Sequence, residues 1–132
     1  MQPEKTESNL DVQKEDEVFV KDITEELEPN LLEYQEYKNL KYKTTKVEYE
    51  KNTAGSYQVN FAMEFTNNST GTQKEQYVEI KFLNEEERLL ESTIAIIGEL
   101  AEGETTEVVV SGDDVLRYTT KVEVTGYGKT KL

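Results

Sequence analysis

In the segment Tyr57-Gln58-Val59-Asn60-Phe61-Ala62-Met63-Glu64-Phe65, every odd position is apolar and every even one is polar or small. A helix would scatter those five apolar side chains around its axis. A strand points successive side chains to opposite faces and so gathers all five on one side. The segment therefore predicts a half-buried strand, and the turn formers Asn67-Asn68-Ser69-Thr70-Gly71 end it.

The same period continues towards the C-terminus. Tyr77 to Leu83 reads as a strand with Val78, Ile80 and Phe82 inward, and Asn84-Glu85-Glu86-Glu87 as the turn after it. Leu89 through Ile97 follows, with Leu90, Ile94 and Ile96 as the expected inner set. Its end, Ile94-Ala95-Ile96-Ile97, is apolar on both sides. Leu100-Ala101-Glu102-Gly103-Glu104 is a turn, Thr105 to Ser111 a strand, and Ser111-Gly112-Asp113-Asp114 another turn. A last strand is expected from Val115 to Thr125, with Leu116, Tyr118, Thr120, Val122 and Val124 on one face.

Ahead of these, Leu40 to Glu50 reads as a first strand. Its apolar parity changes between Tyr42 and Val47, which predicts a bulge or a bend. Charges in Lys41-Tyr42-Lys43 and Lys46-Val47-Glu48 would protect it as a sheet edge. Six short strands separated by turns argue for a sandwich or barrel and not for β–α–β units, and the fold expected is an all-β antiparallel sandwich of six or seven strands.

Residues 1–39 have a different character and read as an acidic N-terminal arm to the domain spanning 40–132. Residues 1–40 hold twelve acids against four lysines, and the rest of the chain sixteen acids against eleven bases. Met1 to Glu17 has the composition of a disordered segment, while Val18-Phe19-Val20 is an apolar island able to dock as a strand or meet a partner. Thr24-Glu25-Glu26-Leu27 reads as a helix start capped by Thr24, and Pro29 to Tyr37 as a further turn or two, with Leu31, Tyr34 and Lys38 on one face.

With 132 residues, 28 acids and a net charge of −13, the chain suits one domain and is a poor match for phosphate backbones or anionic membranes. Arg88 and Arg117 are its only arginines. No apolar run is long enough to cross a bilayer, and Met1-Gln2-Pro3-Glu4-Lys5 lacks the apolar heart of a secretory signal. That fits a cytosolic protein, or a mature or trimmed chain. The absence of Cys and His removes the usual zinc, haem and iron–sulfur ligands, along with Cys–His dyads and Ser–His–Asp triads. Paired carboxylates can hydrolyse glycosides, but nothing singles out one pair among the acids. No catalytic residue and no cofactor is expected, and the chain reads as a non-enzyme.

Two places remain as candidate sites. Glu85, Glu86 and Glu87 with Asp113 and Asp114 form the densest acidic turns, which could ligate a hard cation if folding joined them. Solvated turns are the plainer reading. Tyr34, Tyr37, Tyr42 and Tyr49, four of eight tyrosines, lie around the junction of arm and first strand. They are candidates for binding a partner, since tyrosine is enriched at interfaces, or else they line sheet edges and cap the core. Asn67-Asn68-Ser69-Thr70 holds two overlapping glycosylation sequons, which in a bacterial protein mark only a surface turn.

Ile80-Lys81-Phe82-Leu83-Asn84 resembles the name-giving motif of FxLYD-type immunoglobulin-like domains, found in bacterial surface lipoproteins and other extracytoplasmic proteins. Ile80 takes its first place, Phe82 its third, Leu83 its fourth and Asn84 that of the acid. Phe65-Thr66-Asn67-Asn68-Ser69 matches the family's preceding strand end, and Leu100-Ala101-Glu102-Gly103-Glu104-Thr105 its later turn. The resemblance covers roughly residues 42–127. It implies an immunoglobulin-like sandwich in an extracytoplasmic, Gram-positive, lipid-anchored protein whose anchoring Cys lies outside this chain, and it carries no catalytic residues. The resulting expectation is a non-enzymatic extracytoplasmic binding or structural module with a protein partner and no nucleic acid. The alternative is a cation- or carbohydrate-binding accessory domain that uses the acidic loops.

Overall fold

The computed structural model describes residues 19–127. The readings made for Met1–Glu17, for Val18 and for the last five residues lie outside them. The described residues form β1 (Phe19–Asp22), β2 (Gln35–Tyr37), β3 (Leu40–Lys51), β4 (Tyr57–Asn67), β5 (Gln76–Leu83), β6 (Leu89–Ile97), β7 (Thr105–Asp113) and β8 (Lys121–Gly126). One sheet has the order β1-β3-β4-β7, with β2 also paired to β3, and the other has the order β6-β5-β8. Every pairing is antiparallel.

The chain is an antiparallel β-sandwich. After β4 the chain leaves the first sheet for the β5–β6 hairpin, returns to lay β7 beside β4, then crosses again so that β8 pairs with β5. This interleaving lets the inner faces of both sheets share one interior. Val59, Phe61, Met63 and Phe65 of β4 pack there with Val78, Ile80 and Phe82 of β5 and Val122 and Val124 of β8. The rings of Phe61 and Phe82 meet across the layers at 4.8 Å, tilted by 57°.

The parity change in β3 is a bulge. Thr44 lies opposite Met63 and Lys46 opposite Ala62, so Thr45 is the extra residue. Its hydroxyl donates to the Ala62 carbonyl at 3.1 Å. Before the bulge Leu40, Tyr42 and Thr44 are buried, and after it Val47 takes the next buried place. One inserted residue thus keeps a twelve-residue strand facing the same core.

Four sequence readings need correction. First, the six strands read for the domain are present as β3–β8, but the arm adds two more, β1 and β2, making eight among the described residues. The side of β3 given over to protective charges is in fact paired, with Lys21 opposite Tyr49 and Glu36 opposite Lys41.

Second, the stretch Thr24–Tyr37 holds no α-helix. It forms two short 3₁₀ turns, Thr24–Glu26 and Pro29–Leu32, and then β2. Thr24 is not a helix cap. Its hydroxyl donates to Asp22 Oδ1 at 2.6 Å and accepts the Val47 N–H at 2.9 Å, while Ile23 N–H donates to the Val47 carbonyl at 2.9 Å. Leu31 is buried while Tyr34 is exposed, so they share no helical face.

Third, β6 has the opposite parity. Ala95 lies opposite Val78 and Thr93 opposite Ile80. Val78 and Ile80 face the core, so their partners do too, and Ile94 and Ile96 are turned outward. Fourth, the last strand starts only at Lys121. Asp113 Oδ1 accepts the Asp114 N–H and opens a 3₁₀ turn over Asp114–Tyr118, which carries the chain between the sheets. Leu116 is buried by that turn and Tyr118 is left exposed.

Candidate interaction surface

The arm residues before β3 close one flank of the sandwich. Ile23 and Leu31 are buried in the common core, and Leu27 and Tyr37 pack partly against it. Tyr34 fastens the arm from outside. Its hydroxyl donates to Glu64 at 3.2 Å, and the ammonium groups of Lys41 and Lys43 each lie 4.5 Å from its ring centre. Cations over an aromatic face are held by the ring quadrupole, so these lysines bind their own chain.

The four candidate tyrosines are not brought into one surface. Tyr42 is a core residue, its ring 6.0 Å from that of Phe65 and its hydroxyl accepting the Val124 N–H at 3.4 Å. Burial pushes its phenol above the ordinary tyrosine range. Tyr37 is half-buried with Lys38 over its ring, and Tyr34 serves as the clasp just described. Tyr49 belongs to a separate column at the other end of β3. It stacks on Tyr57 at 5.2 Å, the Arg117 guanidinium lies 4.8 Å from its ring, and Lys51 lies over Tyr57 at 5.8 Å. Desolvation, and then the hydrogen bond to Asp114, raise its phenol as well.

Glu85, Glu86 and Glu87 are exposed on the β5–β6 turn. Asn84 Oδ1 shapes that turn by accepting the N–H groups of Glu86 and Arg88. The turn borders an open depression of about 350 Å³ with Glu26, Glu28 and Arg117, and a second of about 380 Å³ with Glu33 and Lys121. Asp113 and Asp114 line neither depression and start the Asp114–Tyr118 turn, where Asp114 pairs with Arg117 at 3.8 Å. Among the described residues no three acids are grouped to hold a metal ion. The remaining shifted groups are local. The Thr24 hydroxyl and then its N–H hold Asp22 below the usual carboxylate range, and the hydrogen bond to Glu48 raises Lys46.

The opposite flank is open. Among the described residues neither β6 nor β7 has a strand on its far side, and the two edges lie against each other across the layers. Here Ile94 is 40 % exposed, Ile96 52 % and Val109 60 %. The sequence reading missed this surface because it placed the isoleucines inside. The signal was the doubly apolar run Ile94–Ile97, which has a surplus apolar side whichever way it faces.

Comparison with protein-family models, curated proteins and solved structures gives no significant match. The FxLYD likeness rests on the quoted residues alone. Among the described residues no helix is long and apolar enough to cross a membrane.

Proposed function

We propose that this chain is a non-enzymatic binding or structural module acting outside the cytoplasm, as the lipid-anchored part of a bacterial surface protein. The observation that carries the binding role is the open β6/β7 flank, where Ile94, Ile96 and Val109 are exposed beside unpaired strand edges. Exposed apolar side chains on an unpaired edge cost solubility and invite strand addition, so their presence favours a partner. The resemblance to FxLYD-type domains supports the extracytoplasmic and lipid-anchored parts of the reading.

Fractionation of cells that express the protein with its native upstream sequence tests the location. Recovery with the membrane, and digestion by protease added to intact cells, are expected. Full-length protein found soluble in the cytosol and shielded from that protease would overturn the reading.

A further inference from the structure

We propose that β1 is a strap that opens: residues 19–21 lift from the β3 edge as a unit, about Asp22, in the otherwise folded protein, while the arm from Ile23 onward stays seated. The inference concerns the arm side of the molecule and stands whether or not the β6/β7 flank holds a partner.

Three observations carry it. The first is that β1 buries nothing. All four of its side chains are exposed, Phe19 by 42 % and Val20 by 52 %. Among the described residues no hydrogen bond or ion pair joins a β1 side chain to β3. Lys21 pairs instead with exposed Glu26 at 3.6 Å, and Asp22 Oδ1 accepts the N–H and the hydroxyl of Thr24. An exposed ion pair adds little. Ordering these residues costs entropy, and backbone pairing alone opposes that cost.

The second observation is the abrupt change at Ile23. Its side chain is buried, its N–H donates to the Val47 carbonyl at 2.9 Å, and the Thr24 hydroxyl accepts the Val47 N–H. Farther along, Tyr37 pins β2. It packs against the core, and its hydroxyl lies so near Gly126 that a Cβ there would sit 2.7 Å away. Of the two arm strands on β3, only β1 lacks an anchor in the core.

The third is poor pairing. Because Ile23 bonds to Val47, the alternation of an antiparallel ladder makes Lys21–Tyr49 and Phe19–Lys51 the bonded pairs. Val20–Glu50 and Asp22–Glu48 are then the unbonded pairs, whose side chains lie closer. Asp22 faces Glu48, acid to acid, and the two share Lys46, which sits 3.1 Å from Glu48. Val20 faces Glu50, whose carboxylate accepts from the amides of Asn60 and Gln58 and meets no cation among the described residues. Neither pair adds the stabilisation that matched residues give across a ladder. Open, the strap bares β3 only as far as the Ile23–Val47 bond, too short a stretch to template a sheet, and it adds roughly 10 Å to the reach of the arm.

Amide hydrogen exchange of the 132-residue chain, followed by NMR, tests this. The amides of Lys21 and Tyr49 should exchange together, about a hundredfold or more faster than those of Ile23 and Val47 once corrected for intrinsic rates. Val20→Lys sets a cation beside Glu50. Measured against the neutral Val20→Gln, it should slow exchange of Lys21 and Tyr49 about two- to fivefold in about 50 mM salt, and the gain should fade in about 500 mM. The chain has no cysteine of its own, so an oxidised Val20→Cys/Glu50→Cys pair should bring Lys21 towards the protection of Ile23, and reduction should undo it. Equal protection of Lys21 and Ile23 in the unmodified chain overturns the proposal. So does a Val20→Lys variant that matches Val20→Gln at both salt concentrations, or a disulfide that leaves Lys21 exchanging as before.

Discussion

Asn67 Nδ2 donates to the Leu100 carbonyl at 3.0 Å, joining the end of β4 to the turn that leads into β7. The same amide donates to the Gly71 carbonyl at 2.7 Å, while Oδ1 accepts both the N–H and the hydroxyl of Ser69. The backbone of Asn67 adds bonds to Gly103 and Glu104. This fully buried side chain therefore organises two loops at one end of the sandwich. It is also the first residue of the overlapping sequons, and its burial leaves Asn68 as the exposed member.

Replacing Asn67 by Asp removes the donor and puts carboxylate oxygens against two carbonyls. Each buried group left unpaired costs about 1–3 kcal/mol, so Asn67→Asp should destabilise by about 3 kcal/mol and lower the melting temperature by roughly 10 °C. Ser69→Ala, which loses the hydroxyl's bonds to Asn67 and Gly71 on a part-exposed turn but keeps the Ser69 N–H bond, should cost about 1 kcal/mol. Thermal and urea melts followed by circular dichroism compare the two.

The reversed parity of β6 has a sharp mutational signature. Ile97→Ala should destabilise by about 2–5 kcal/mol because it empties a core position, whereas Ile96→Ala should stay within about 0.5 kcal/mol. Urea melts at low protein concentration measure both. Equal losses would restore the inward placing of Ile96.

Removal of residues 1–39 tests how far the arm belongs to the domain. The cut deletes Ile23 and Leu31 from the core, each worth about 1.5–3 kcal/mol of burial, and bares the β3 edge. The shortened chain should be several kcal/mol less stable and prone to aggregate, while removal of residues 1–18 should spare the buried positions. Denaturant melts of the two truncations decide.

Burial holds the Tyr42 phenol above its ordinary value, and desolvation with Asp114 does the same for Tyr49. A raised phenol pKa means that the folded chain keeps protons which the unfolded chain gives up. The stabilisation is complete below the unfolded tyrosine value of about 10 and is lost as pH rises through the folded values. Asp22 runs the other way, with stability present above its unfolded value and lost as pH falls through the lowered one. Tyrosinate absorbance should show a late-titrating fraction that shrinks in Tyr42→Phe and keeps the Tyr49 share, and melts should weaken above about pH 10.

Much of the sandwich was legible because one face of most strands is apolar and the other is not. Val59, Phe61 and Phe65, and Val78, Ile80 and Phe82, are buried where the alternation put them, and the Thr45 bulge was visible as a slip in that alternation. Where a segment is apolar on both sides, periodicity has no preference, and in β6 the register to Val78 and Ile80 made the choice. The arm was misread because Thr24 and Pro29 are local signals for helix ends. The free backbone of β3 offered longer-range bonds, as Val47 does to Ile23 and Thr24, and these prevailed. The clustered tyrosines were near in sequence, but the strand carries Tyr42 and Tyr49 to different levels of the fold.

The rim on the arm side is built from a four-residue and a three-residue strand with two 3₁₀ turns between them. Stubs so short and interrupted cannot template a further chain. That leaves three strands with one unpaired side among the described residues, β6 and β7 on the opposite flank and β8 at the other end of the second sheet. The longest strand of the fold, β3, is thus the one whose outer side is withdrawn from further sheet growth.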